Sequence, residues 1–304
     1  MLEAILLTIV TASTPLLFAA MGELVTERSG VLNLGVEGMM AVGAVFGFVV
    51  GLNSGSHLLG IIAAGGAGMT LSLLFAILVL GLGINQVASG LALTLLGLGL
   101  SGLAGTSVVG RSMPSLEPVD IPLLSDLPVV GQLVFGQTWL VYLSLALVAA
   151  VGWFIDRTRQ GLLLRAVGDD HHSAHTLGHS VMRIRLRAII FGGLCAGIGG
   201  GYLSLAYTPL WIEGMVAGRG WIAVALVVFA SWTPWRVLLG AYLFGAVSIL
   251  QLHSQAMGIG IPSQALTSLP YIATVLVLVL IGRDRLRMMR NTPACLGVPF
   301  VPTR

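Results

Sequence analysis

No lysine occurs anywhere in the 304 residues, and all 15 basic side chains are arginine. Charged residues of both signs make up only 9% of the chain, against a hydrophobic share of 56%. A soluble globular chain carries roughly 25% charged residues, so this one cannot cover a water-facing surface. It reads as a polytopic membrane protein. The missing lysine also excludes a phosphate-cradling G-x-x-x-x-G-K-[ST] loop, so any ATP hydrolysis that drives the protein must take place on another chain. The two cysteines, Cys195 and Cys295, are far apart, one in an apolar run and one in the tail. They suggest neither a disulfide framework nor a metal site. The first run, MLEAILLTIVTASTPLLFAAMG, lacks the basic flank of a cleaved signal peptide and is expected to stay as a first span.

Apolar runs long enough to cross a bilayer as helices fall near 4–21, 38–56, 58–80, 86–108, 137–155, 188–207, 236–253 and 265–282, with 215–232 as a ninth candidate. In hydrocarbon every backbone N–H and C=O must be paired within the segment, so these are helices. The expected fold class is therefore all-α, with about 8–10 transmembrane helices and Gly-rich broken or re-entrant segments. Arginine sets the orientation. The loop 156–187 holds six Arg and the tail after Gly282 five more, so both are expected on the cytoplasmic side. The expected organisation is one membrane domain over 1–282 and a cytoplasmic tail over 283–304. Counting spans back from Asp156 places 110–136 and the N-terminus outside. A basic surface for nucleic acid has no place in such a chain.

Two runs repeat glycine at every fourth position: Gly43, Gly47 and Gly51, and Gly193, Gly197 and Gly201. Bare helix faces of this kind let another backbone approach closely. GLGLSG at 97–102 matches a dinucleotide fingerprint in letters only, because no strand precedes it. No nucleophile elbow or H-E-x-x-H spacing is present, and the chain is not expected to be an enzyme.

The first 110 residues hold five charges, and four of them (Glu23, Glu27, Arg28 and Glu37) sit in GELVTERSGVLNLGVEGMM at 22–40. Gly22, Gly30, Gly35 and Gly38 all weaken a continuous helix there. The segment is either a simple turn at a span end, an interfacial helix, or a broken helix whose polar groups face the protein interior. Two further polar breaks occur, GLGINQVASG at 81–90 and YTPLWIEGMVAGRGW at 207–221. Asn33, Glu37, Asn85, Gln86, Ser89 and Glu213 are the candidates for lining a translocation pathway, and ordinary loops at span ends are the alternative. In the loop 156–187, His171, His175 and His179 would share one face of a helix, a spacing that can hold zinc. Two adjacent Asp and the lack of a closed ligand set favour a solvated or protein-facing loop instead.

ERSGVLNLGVEGMM, NQVASG, TRQGLLLRAVGDDHHSAHTLG, GRGWIAVALVVFASWTPWRVLLGAYLFGA and LPYIATVLVLV occur in this order between residues 27 and 279. Together they resemble the permease subunits of bacterial ABC importers in the ribose/branched-chain amino-acid permease superfamily. The likeness is greatest to the shorter permease of nucleoside importers that use basic-membrane-lipoprotein-type binding proteins. The resemblance implies a multi-pass subunit of the bacterial cytoplasmic membrane, with a cytoplasmic C-terminus. It implies as partners two cytoplasmic ATP-binding subunits, a second related permease and an external solute-binding lipoprotein. No cofactor is expected on this chain, since ATP and Mg would be held by the partner ATPase. The family's coupling segment maps onto GLLLRAVGDDHHSAHTLG, with Gly161, Arg165, Gly168, Asp169, Ala174 and Gly178. Family members usually carry a polar residue and Pro near the position of Asp170-His171, where this chain departs. The implied solute is a nucleoside, then a simple sugar, then a branched-chain amino acid. A secondary transporter is the competing class, with Glu23, Glu37 and Glu213 as its only acidic candidates for an ion.

Overall fold

The computed structural model describes residues 2–119, 136–256, 265, 268–269, 272–273, 275–276 and 291–301. Among these residues every regular element is a helix, and one isolated antiparallel bridge joins Ser112 and Leu210. The helices are α1 (Leu2–Arg28), α2 (Val36–Ser54), α3 (His57–Ala76), α4 (Gln86–Gly105), α5 (Trp139–Arg157), α6 (Arg159–Asp169), α7 (His171–Thr176), α8 (Val181–Tyr202), α9 (Arg219–Phe229) and α10 (Pro234–Ala256). Single π-turns, Ile77–Gly81 and Leu203–Tyr207, prolong α3 and α8. Among the described residues seven helices are long and apolar enough to cross a membrane, and α9 is an eighth apolar helix too short to do so.

Helix α8 runs through the middle of the bundle, packed on α1, α2 and α3, and is the most buried of the seven, whereas α10 is the least. Its glycines explain the position. A Cβ on Gly43 of α2 would fall on the backbone of Gly197, and one on Gly200 would fall on the carbonyl of Met40. The helices therefore meet backbone to backbone, which is the close approach that the glycine spacing predicts. One apolar core, including Leu24, Met39, Phe75, Leu93, Ile189 and Val227, links α1, α2, α3, α4, α8 and α9.

Three element boundaries differ from those expected. Helix α1 does not stop near residue 21 but continues to Arg28, carrying Glu23 and Glu27 inside the helix. Gly22 does not break it, because a Cβ there would meet Cys195 and Gly192 of α8: this glycine serves packing. Helix α8 begins at Val181 rather than 188, so Arg183, Arg185 and Arg187 lie in its first turns. The candidate span 215–232 is only half helical. Its first residues belong to a non-helical segment, 208–218, with left-handed backbone at Gly214, Ala217 and Gly218. Most of the expected span 265–282 and the tail arginines Arg283 to Arg290 lie outside the described residues.

Candidate functional site

The segment 22–40 is a helix, a break and a second helix. After Arg28 the chain turns at Gly30 (φ 86°), and α2 starts at Val36. Every residue from Ser29 to Glu37 is buried except Leu32 and Leu34, which are half-buried. A buried break leaves backbone donors without helical partners, and side chains from other parts of the chain take them up. The N–H of Asn33 donates to Glu23 Oε1 (3.1 Å), and the N–H of Leu32 donates to Gln86 Oε1 (2.8 Å). Asn33 turns its own Oδ1 onto the N–H of Gly35 at 2.9 Å. The hydroxyl of Thr94 on α4 donates to the Leu34 carbonyl at 2.9 Å.

Glu37 joins this break to the second one. Its Oε1 accepts from the N–H of Gly218 and its Oε2 from the N–H of Gly220, both at 2.7 Å. The carboxylate thus caps the first turn of α9, where unpaired N–H groups and the helix dipole favour negative charge. Glycine is required at 218, whose φ of 81° is left-handed, and at 220, where a Cβ would press on the Glu37 backbone. The other end of α9 is tied to α1, because the indole N–H of Trp232 donates to Glu27 Oε2 and Arg28 donates to the Trp232 carbonyl. Four buried polar atoms around the break have no hydrogen-bond partner among the described residues: Glu23 Oε2, Glu27 Oε1, Gln86 Nε2 and Ser89 Oγ. Asn33, Glu37 and Gln86 thus meet at the break or beside it, and Ser89 lies buried one turn beyond Gln86 on α4. Asn85 is not one of them: it is exposed and caps α4 through Oδ1 on the N–H of Ala88. Glu213 lies further along α4, beside Gly102.

The segment 158–180 forms two short helices. Thr158 caps α6 by accepting from the N–H of Gly161 (3.0 Å), and Asp170 caps α7 by accepting from the N–H groups of His172 and Ser173 (3.0 Å each). The Ser173 hydroxyl and N–H hold the Asp170 carboxyl below its usual range. Asp169 is pushed the other way by desolvation, partly opposed by Arg28 and Arg165. Gly161 packs against the Phe154 carbonyl, Ala174 is buried, Arg165 is half-buried with an unpartnered Nε, and Gly178 (φ 87°) turns the chain after α7. That turn takes His179 off the helix, so the three-histidine face that the spacing allowed does not form. His171, His172 and His175 instead surround the Phe300 ring, with centroids 5.2, 5.8 and 5.3 Å away.

These helices touch the break directly. A Cβ on Gly168 would fall on the carbonyl of Arg28, the last residue of α1. Arg185, wholly buried, donates from Nε to the Ser29 carbonyl (3.1 Å) and from Nη1 to the Val298 carbonyl (3.1 Å), while its Nη2 lies 3.1 Å from His171 Nδ1. The tail joins in: Cys295 N–H donates to the Gly168 carbonyl (2.8 Å) and Gly297 N–H to the Gly30 carbonyl (3.2 Å). Burial, then Arg185 and His172, keep the His171 pKa below its ordinary value. Trp232, Thr94, Arg185 and residues 291–300 are the participants that sequence reasoning missed. Arg185 had one signal, since three arginines at alternate positions cannot all face outward from one helix. The tail had none.

A membrane bundle with buried backbone breaks, one of them tied to paired surface helices, has the parts of a transport subunit, and comparison with known proteins identifies which. Residues 5–282 match the family described as branched-chain amino acid transport system / permease component. The chain belongs to this permease family. It is 47% identical to a putative glucose ABC transporter permease of Haloferax volcanii over 84% of this chain and 79% of that protein. It is 31% identical to a guanosine ABC transporter permease of Bacillus subtilis over 95% of this chain and 93% of that one. A nucleoside ABC transporter permease of Lactococcus lactis is likewise 31% identical, over 92% of each chain. No solved structure gives a significant match. The permease is thus a multi-pass membrane subunit of an ABC importer, a class whose members work with ATP-binding subunits and a substrate-binding protein and are not themselves enzymes.

Proposed function

We propose that this permease imports nucleosides, with ATP and Mg held by cytoplasmic ATPase partners and with a second, related permease completing the pathway. The observation that carries the reading is the likeness, over more than nine-tenths of the chain, to two permeases named for guanosine and nucleosides. The Haloferax relative, named for glucose, supports a simple-sugar importer as the second reading.

In the proposed mechanism the Arg-rich end, with α6, α7 and the tail, faces the cytoplasm. Closure of the ATPase dimer moves α6–α7. Gly168 and Arg185 pass the movement to the break at 29–35, and Glu37 and Trp232 pass it to α9. The two packings of the bundle, open to one side or the other, need only differ in stability between the nucleotide states of the ATPase. Asn33, Glu37, Gln86 and Ser89 edge the moving part of the pathway, and Glu213 lies on its wall.

The test is reconstitution of the permease pair with its ATPase and binding protein in liposomes. Labelled nucleoside uptake should require ATP and the binding protein. Uptake by the permease alone, driven by a proton or sodium gradient, would contradict the importer mechanism. Glucose uptake without nucleoside uptake would select the second reading.

A further inference from the structure

The non-helical segment 208–218 runs along α4, with Trp211 and Val216 turned into the protein and Ile212, Glu213, Gly214 and Ala217 exposed. Trp211 sits over Gly105 in the last turn of α4, while Gly218 and Gly220 are bonded to Glu37, next to Gly38, whose backbone packs on Gly97 of α4. From Gly105 to Gly97 the axis of α4 covers about 12 Å at 1.5 Å per residue. Non-helical backbone at such depth is tolerated only where it is buried in protein or lines a water-filled cavity. Both conditions occur here. Trp211 and Val216 are buried, and a cavity of about 230 Å³ lies between the segment, α2 and α4. Ala41, Ala44 and Leu98 form its apolar wall, and Ser101, Gly102 and Glu213 its polar part.

The polar part is built for hydroxyl groups. Glu213 is exposed at the mouth of this cavity with no hydrogen-bond or ion-pair partner among the described residues, and its carboxylate lies over Gly102, where a Cβ would stand 3.3 Å from Oε1. Ser101, 7% exposed, directs no hydroxyl bond to any described residue. Two acceptor oxygens on one carboxylate match two neighbouring hydroxyls, and a serine hydroxyl both donates and accepts. The small-residue wall leaves room for a ring, and the volume is close to the lower end of the ~300–1,000 Å³ usual for small-molecule sites. A carboxylate without a counter-charge also disfavours anionic solutes such as nucleotides.

We propose that Glu213 and Ser101 form a solute-reading station in the membrane pathway that takes a vicinal diol. The ribose of a nucleoside and the ring of a hexose both carry this group. The proposal rests on the importer reading above, and it names the feature of the solute that this chain senses.

The test is a cycle between solute and side chain in the reconstituted importer, at solute concentrations that saturate the binding protein. Uptake of a ribonucleoside is compared with that of a 2′-deoxy or 2′,3′-dideoxy analogue which the binding protein loads, in wild type, Glu213→Gln and Ser101→Ala. Wild type should favour the diol by about tenfold, the weight of a charge-assisted hydrogen bond. Glu213→Gln should bring the ratio close to one by slowing the ribonucleoside and leaving the analogue unchanged, with basal ATP hydrolysis intact. Gly102→Leu, which fills the cavity, should slow both solutes. An unchanged ratio in Glu213→Gln, or no preference in wild type, overturns the station while leaving nucleoside import standing. If wild type imports glucose and no nucleoside, the nucleoside reading fails separately. The same cycle then runs with glucose and 2-deoxyglucose, and an unchanged ratio there overturns the station too.

Discussion

Glu37 and Asp170 do the same chemistry at the two ends of the proposed coupling route. Each carboxylate accepts two backbone N–H groups at the start of a helix, Glu37 on α9 and Asp170 on α7. Glu37 is 3% exposed and its donor Gly220 is buried, whereas Asp170 is exposed and its donors can turn to solvent. A cap is worth most where its loss leaves donors that nothing else can satisfy. The buried break is therefore held by obligatory bonds and the surface pair by replaceable ones. Such a contrast suits a device whose surface helices take up a movement and whose break, held to α9, follows it as one unit.

The largest effect is expected at Glu37. Glu37→Ala should cost roughly 2–6 kcal/mol, one to three for each orphaned donor, and the thermal midpoint of the purified permease in detergent should drop accordingly. Arg185→Met comes next, since it removes the buried bonds to Ser29 and Val298 that join the two regions. A loss of about 3 kcal/mol is expected, with faster amide exchange at Gly30 and Val31 and at Cys295 to Val298 together. Faster exchange in only one of the two stretches would separate them.

A smaller effect follows from His171. Its pKa is lowered by burial, Arg185 and His172, with Asp170 opposing. The unfolded state therefore takes up the proton first as pH falls below the ordinary value of about 6.5. Stability is present above that value and is lost as pH falls toward the folded one. Thermal midpoints measured from about pH 7.5 to about pH 5.5, the range that brackets a histidine, should decline more in wild type than in His171→Gln. The smallest effect belongs to Asp170→Ala, which should speed amide exchange at His172 and Ser173 without moving the thermal midpoint. A large loss of stability there would break the contrast with Glu37.

Composition alone made the class legible, because a chain with so few charges has no water-facing surface. Glycine spacing made the α2–α8 approach legible. The extent of α1 was not, since Gly22 and Glu23 look like an ending unless the α8 backbone beside them is known. The Glu37 cap was hidden for a similar reason. Its partners lie 181 and 183 residues away, and no periodicity reports which donors a carboxylate meets. Of the charges in 22–40, Glu23 proved to hold the backbone of the buried break, while Glu27, Arg28 and Glu37 hold the two ends of α9, and the tail's contacts with Gly30 and Gly168 left no trace in pattern or composition.

The central claim is that movement of α6–α7 reaches the break at 29–35 through Gly168 on the Arg28 carbonyl. Uptake and ATP hydrolysis measured side by side in liposomes holding the complete importer with Gly168→Ala test it most directly. The account predicts normal membrane insertion and continued ATP hydrolysis with nucleoside uptake reduced to background, and uptake at the wild-type rate would contradict it.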